Sequence, residues 1–318
     1  MATETASTTS TEERSVAVHP VETERSNYPD PTWSRTHLNY YKDTEPLAVA
    51  AAAPELSEHE LRVLRRSDDA PNVDRVAVRI RNIKGQEADY RFDMHGFTVA
   101  HLDSRLQYFG DDGELRRVYF PEVTELLKRE IGAQHVFQYE WHVRSATLED
   151  SLKQDSTGAV DIKGPVRRVH IDESPATALK EFDYYLKPHE EPNRHLRGRP
   201  FAIYNVWKPL KTVRRDPLCL CDVRTLASED LHSTKVCVPN LGEIENISLR
   251  APRDAGRHGF VYVREQRLDQ ALVFRIFDSR IDGVVGGRMS HGVAHSSFAD
   301  PGTEDQAARE SIEIEPGT

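Results

Sequence analysis

The chain reads as a mainly β protein with flanking helices, built around an antiparallel barrel or jelly roll. Three observations lead there. From Pro165 onward, short runs rich in β-branched and aromatic residues alternate with turn residues at irregular spacing. Only one helix-like segment interrupts those runs. No glycine-rich phosphate loop is present, which disfavours the nucleotide-binding α/β folds.

Taken in order, residues 1–30 are rich in Ser, Thr and Glu and carry no apolar periodicity. Such a segment cannot repay the entropy of ordering and is expected to be a flexible tail. Trp33, Leu38, Tyr40 and Tyr41 give the following arm enough apolar surface to lie on a folded body, or to serve as a lid. Ser57-Glu58-His59-Glu60 is a capping-box pattern that starts a short helix ending near Ser67. A strand is predicted over Val76–Ile80, and one or two over Asp89–Leu102 with a turn near His95-Gly96. Pro121 and Gly132 bracket a predicted helix over Glu122–Ile131, and Val136–Val143 reads as the next strand. Beyond Pro165 the predicted strands are Val166–Ile171, Pro200–Trp207, Leu218–Val223, Gly259–Val263, Ala271–Phe277, Val293–Phe298 and Arg309–Ile314. One helix, Pro175–Leu186, lies among them, with Ser174 as its N-cap and Pro175 at its first position.

Composition narrows the function. Net charge is −10, which excludes a basic field for nucleic acid as the main theme. Three cysteines, Cys219, Cys221 and Cys237, are too few and odd in number for a disulfide framework and suggest a reducing compartment. Cys219 and Cys221 read as buried thiols, because no second Cys/His pair has the spacing of a zinc site. The longest apolar run, Leu47–Ala53, is far short of the ~20 residues of a membrane span, and the N-terminus lacks the apolar segment of a secretory signal. The expectation is a cytoplasmic protein that contacts neither membrane nor nucleic acid.

Val169-His170-Ile171-Asp172 is the first informative site. On a strand, residues two apart share a face, so His170 and Asp172 present an imidazole and a carboxylate side by side. That pair suits a divalent metal, although alone it also fits an ordinary surface feature. Far downstream, His295 ends a strand-like run and would complete a two-histidine, one-carboxylate face, the geometry of non-haem Fe(II) oxygenases. His291 would share a side with His295, so parity does not separate the two. Arg309-Glu310-Ser311 favours His295, the nearer. It sets a guanidinium and a hydroxyl on one face, and together these grip a carboxylate. A dicarboxylate co-substrate anchored there could reach the metal with its other end. Singly, Arg309 also fits a surface ion pair with Glu310 or Glu313.

The order His-x-Asp, a distant His, then Arg-x-Ser resembles the Fe(II)/2-oxoglutarate-dependent oxygenases. Further blocks narrow the likeness: Val118–Val123, Val143-Arg144, Val169–Ser174, Tyr204–Leu210, Asp216–Asp222, Phe277–Ser279, His295–Pro301 and Ala308–Glu313. Together they resemble the fungal gibberellin-desaturase-like and hydroxylase/desaturase family, with its cephem 7α-hydroxylase-like relatives. The resemblance implies a double-stranded β-helix core, jelly-roll or cupin-like, and a single catalytic domain over 31–318. Within it, 31–150 would form the N-terminal flank and lid and 151–318 the core. It implies iron held by His170, Asp172 and His295, and 2-oxoglutarate held by Arg309 and Ser311, with Asn205 touching co-substrate or substrate. Trp207, Lys208, Arg288 and Phe298 are expected at the substrate. Lys208 stands where the family usually has arginine, which removes a bidentate carboxylate clamp. With Fe(II), 2-oxoglutarate and O2, the implied chemistry is hydrogen abstraction from a small molecule of secondary metabolism. It would end in hydroxylation, desaturation or ring closure. A carboxylate-bearing substrate and a homodimer belong to the same expectation. The competing readings are a catalytically silent jelly-roll partner protein and a cupin-type metalloenzyme independent of 2-oxoglutarate.

Overall fold

The computed structural model describes residues 32–43, 68, 70–154, 163–186, 196, 198–238, 241–280, 284–285, 288–289 and 292–318. The expected tail over 1–30, the capped helix at Ser57–Ser67, and His291 lie outside the described residues, as does the Arg288 side chain.

The strands and the two longer helices follow one another along the chain. They are β1 (Trp33–Tyr41), β2 (Val73–Asn82), β3 (Phe97–His101), α1 (Phe120–Ile131), β4 (Phe137–Arg144), β5 (His170–Ile171) and α2 (Pro175–Leu186). Then come β6 (Ala202–Pro209), β7 (Leu218–Cys221), β8 (Leu231–Val238), β9 (Gly242–Leu249), β10 (Phe260–Tyr262) and β11 (Gln270–Asp278). The last are β12 (Val284–Val285), β13 (Arg288–Met289), β14 (His295–Ser297) and β15 (Ser311–Gly317). An eight-stranded sheet has the order β1-β2-β10-β7-β14-β5-β9-β8, and a five-stranded sheet the order β3-β11-β6-β15-β4. Neighbours run antiparallel except β2 and β10. Single-residue bridges from Asn39 to Arg168 and from Tyr41 to Arg250 bring β1 back beside β5 and β9, so the large sheet curls on itself.

Burial follows the pleat. On β7, Leu218 and Leu220 face the smaller sheet and pack with Trp207, Leu272 and Phe274. Cys219 and Cys221 face the other way, against Tyr40, Ile171, Phe260 and Phe298. The run Leu-Cys-Leu-Cys is therefore buried on both faces, and its two cysteines are free thiols, as expected. A third cluster seats Val123, Leu126 and Leu127 of α1 on Tyr204, Val206, Ile312 and Ile314, the outer face of the five-stranded sheet. Those helix positions recur at the three-to-four spacing of an amphipathic helix. The helix ends where Gly132 takes φ +70° and its N–H bonds the Lys128 carbonyl.

The mainly β architecture holds, and α2 spans the predicted residues, with the Ser174 hydroxyl accepting the Thr177 N–H at 3.1 Å. Two segments differ. The first half of the strand predicted over 89–102 is a helical turn, Phe92–His95, closed by Gly96 at φ +82°. A Cβ at Gly96 would also meet Val223 and Val293 at 2.7 and 2.8 Å, so glycine is required twice over. Of the strand predicted over 166–171, only His170–Ile171 enters the ladder, with Arg168 bridging separately. The β8–β9 hairpin had no strand signal. Ile244 and Ile247 are buried three apart, which breaks the two-residue alternation that marks a half-buried strand.

Candidate metal centre and co-substrate pocket

β5 and β14 are adjacent and antiparallel, with His170 directly opposite His295. Asp172 follows at the end of β5. Its Oδ1 lies 3.2 Å from His170 Nε2 and 3.4 Å from His295 Nε2. One ligand atom from each of the three residues falls within a 4.8 Å cluster. His170 Nδ1 is 2.7 Å from the Arg168 carbonyl, and His295 Nδ1 is 3.1 Å from the Val293 carbonyl. A carbonyl only accepts, so each Nδ1 carries the proton. Each Nε2 is left turned to the shared point, as the nitrogen that can give its lone pair to a metal.

Burial disfavours charge on Asp172, but His295 and His170 outweigh it and hold the carboxyl well below its usual range. Its second oxygen, Oδ2, is buried with no hydrogen-bond partner. Two imidazole nitrogens and one orphaned carboxylate around a single point fit a borderline divalent ion, and they match the facial triad of non-haem Fe(II).

Beside this centre, β6 and β15 are paired in the smaller sheet. Arg309, just before β15, is 5% exposed. Its Nη1 donates to the Asp216 carbonyl at 2.8 Å, and its guanidinium lies 5.2 Å from the Trp207 ring centre. Burial pulls its pKa down to about 10, helped by the neighbouring charge of Arg144. The surface ion pair considered for Arg309 is thus not its setting. Arg309 Nε, Ser311 Oγ and Asn205 Oδ1 are all buried without partners. Asn205 stands in register with Phe274, whose ring is 4.8 Å from that of His295. A buried guanidinium N–H and a buried hydroxyl with nothing to bond suit an anionic ligand's oxygens.

Of the residues expected at the substrate, Trp207 shares its strand face with Asn205 and packs between the sheets. Two others are corrected. Lys208 lies on the opposite face, where its ammonium donates to the carbonyls of Leu268 and Pro209. Burial pulls its pKa down, with Asp103 and Asp269 opposing. The cation is occupied in tying the end of β6 to the turn before β11, a role that a monodentate lysine fills. Phe298 falls on the far face of the large sheet from His295 and packs edge-on against Tyr262 at 5.0 Å. Its odd three-residue offset from His295 on a pleated chain accounts for this.

Five residues of this region, Arg144, Asp216, Glu140, Glu313 and Glu315, had no place in the site assigned from the sequence. Arg144 on β4 stands opposite Ser311 and bonds Glu313 of β15 as well as the Gly164 carbonyl. Register across two strands 169 positions apart makes this pair, and no local pattern carries it. Asp216 stood in the sequence only as the first residue of the block Asp216–Asp222. Glu140, Glu313 and Glu315 share the face of Ser311 and Arg144. Burial raises the Glu315 carboxyl well above its usual range, and the Asp172 charge adds to this.

Fold and donor set together define a non-haem iron oxygenase of the double-stranded β-helix type. Residues 38–316 match the family described as YDMC: Oxidoreductase/YMDC permease-like domain. No described helix is long and apolar enough to cross a membrane. The chain is 32% identical over 279 residues to the alpha-ketoglutarate-dependent dioxygenase phiK of Fungal sp. (strain ATCC 74256), covering 87% of this chain and 92% of that protein. It is 34% identical over 236 residues to the hydroxylase/desaturase CTB9 of Cercospora beticola, covering 70% of each. Its fold resembles the iron and alpha-ketoglutarate-dependent endoperoxidase NvfI, with TM-score 0.66 at 23% identity, over 91% of this chain and 98% of that one. The chain belongs to the family of fungal alpha-ketoglutarate-dependent dioxygenases and hydroxylase/desaturases, enzymes of secondary metabolism that include a gibberellin desaturase. Alpha-ketoglutarate is 2-oxoglutarate, so the resemblance drawn from the motifs and the double-stranded β-helix expectation both hold.

Proposed function

We propose that His170, Asp172 and His295 hold Fe(II) in this chain, and that Arg309 and Ser311 anchor the far carboxylate of 2-oxoglutarate, with Asn205 beside it. The observation that carries this reading is the His170, Asp172 and His295 cluster together with buried, unpartnered polar atoms on Asp172 and, in the other sheet, on Asn205, Arg309 and Ser311. When bound, iron, 2-oxoglutarate and dioxygen supply the oxidising power to remove hydrogen from an unactivated carbon, releasing succinate and carbon dioxide.

The protein's own residues bind, orient and exclude water. The Nδ1–H bonds of both histidines fix their rings before the metal arrives. Arg309 offers a dehydrated cation, and Trp207 shields one of its faces. The substrate is a small molecule. Hydroxylation, desaturation or ring closure follows from which substrate carbon is held nearest the metal. Two buried free thiols, Cys219 and Cys221, support a reducing, cytoplasmic setting. The test is a metabolite panel assayed for succinate release, with mass analysis of converted compounds. A product shifted by one oxygen, by two hydrogens, or by ring formation supports the reading. Turnover unchanged when 2-oxoglutarate is omitted contradicts it.

A further inference from the structure

Asp216 is one of two described non-glycine residues with left-handed backbone, at φ +50°. The conformation is unfavourable for a residue with a side chain. Pro217 restricts it further, because a proline ring pushes the residue before it toward extended backbone. The strained turn sits immediately before β7, which pairs with β14. Asp216 is 2% exposed.

The surroundings over-determine this turn. Arg167 Nη2 donates to Asp216 Oδ1 at 2.9 Å, while its Nη1 holds Asp68 at 3.0 Å. Arg215 Nε lies 3.4 Å from Asp216 Oδ2. The side chain is held by these two cations, and the backbone carbonyl meets the residues proposed for the co-substrate. There it accepts from Arg309 Nη1 at 2.8 Å and from Ser297 Oγ at 3.0 Å. The same Ser297 hydroxyl lies 3.3 Å from Arg309 Nη1. One carbonyl thus ties the co-substrate guanidinium to β14, two residues beyond His295.

We propose that Asp216 is a positioning residue for 2-oxoglutarate: its left-handed backbone, locked by Arg167 and Arg215, aims a carbonyl that fixes the Arg309 guanidinium. The bond occupies Nη1 and leaves Nε unpartnered for the ligand. The inference rests on the co-substrate reading given above and adds to it the device that holds the anchor.

The test compares Asp216→Asn, Asp216→Gly and Asp216→Ala in protein loaded with Mn(II), which keeps the site redox-silent. Binding of 2-oxoglutarate and of Mn(II) is measured by calorimetry. Asparagine tolerates left-handed backbone and keeps an acceptor for Arg167, glycine keeps the backbone alone, and alanine keeps neither. The dissociation constant for 2-oxoglutarate is expected to rise least for asparagine, more for glycine, and by about tenfold or more for alanine. Affinity for Mn(II) is expected to stay within about twofold of wild type, since no metal ligand is touched. In the iron enzyme, KM for 2-oxoglutarate rises more than kcat falls. Should the alanine variant fail to fold, Arg167→Gln releases the same carboxylate and is expected to weaken 2-oxoglutarate severalfold with Mn(II) binding intact. Alanine and Arg167 variants that bind 2-oxoglutarate like wild type overturn the inference alone, as does equal loss of Mn(II) and 2-oxoglutarate. Wild-type protein that binds Mn(II) but no 2-oxoglutarate overturns the co-substrate reading first, and this inference with it.

Discussion

His170 and His295 face each other as register partners on adjacent antiparallel strands, with the Asp172 carboxylate 3.2 and 3.4 Å from their Nε2 atoms. A cross-strand pair in this position places the two residues by backbone pairing, and the Nδ1–H bonds to the Arg168 and Val293 carbonyls then orient the rings. The site is therefore as rigid as the sheet that carries it.

His170→Ala and Asp172→Ala are each expected to remove most of the bound iron after reconstitution and desalting, with succinate formation lost in parallel. Metal analysis of the desalted protein checks this. Retention of roughly one iron per chain by either variant contradicts the assignment.

Arg309→Ala removes a charge-assisted bond worth about 1.5–3 kcal/mol, so KM for 2-oxoglutarate should rise roughly tenfold to a hundredfold. Ser311→Ala loses a neutral bond of about 0.5–1.5 kcal/mol, a rise of roughly two- to tenfold. Iron content should be unaffected in both. Steady-state kinetics with varied 2-oxoglutarate reads the difference.

Arg144 and Glu313 form a buried ion pair with side chains 13% exposed each. Arg144→Ala should cost about 3–5 kcal/mol, because it leaves Glu313 buried and uncompensated. Arg144→Ala combined with Glu313→Gln should recover part of that loss. The pair also sets a pH dependence. Burial raises the Glu313 carboxyl, but Arg144 outweighs it and holds the group below its ordinary range. A carboxyl depressed in the folded state contributes its full stability above the unfolded value of about 4.3, and loses it as pH falls through the lower folded value. Denaturant midpoints should thus separate wild type from the double variant at pH 7 and converge at lower pH.

Gly292 precedes β14 at a point where a Cβ would sit 2.3 Å from Ile171 Cγ2 and 2.6 Å from the Ile276 carbonyl oxygen. The carbonyl belongs to β11 and has little room to move. Gly292→Ala should lower stability by about 1–3 kcal/mol, and it should weaken iron binding by shifting His295. Thermal melting with and without iron tests both effects. An unchanged Tm for the metal-free protein runs against the packing described.

Much of this arrangement was legible in the residues. Two-residue spacing put His170 beside Asp172, because that is a local property of extended chain, and it singled out Arg309 and Ser311, both of them buried. Ser174, Pro175 and Gly132 announced helix ends through caps that act within one turn, whereas Pro121 did not mark a helix start, because the chain is already helical from Asp112 through the π-helical stretch Leu115–Tyr119. What escaped depends on register between distant strands. Arg144 meets Glu313, and Asp216 meets Arg309, only after β4, β6, β7 and β15 have assembled. Lys208 shows the other limit. Its place in the motif run pointed to the substrate, whereas parity with Ile312 turns it outward to the Leu268 carbonyl.

The central claim is that His170, Asp172 and His295 hold Fe(II) in a pocket where Arg309 and Ser311 present 2-oxoglutarate to it. Its most direct test is visible absorption of the protein mixed with Fe(II) and 2-oxoglutarate in the absence of oxygen. The account predicts a metal-to-ligand charge-transfer band in the wild-type protein, absent in His170→Ala and requiring higher 2-oxoglutarate in Arg309→Ala. No band, together with no bound iron after careful reconstitution, would contradict it.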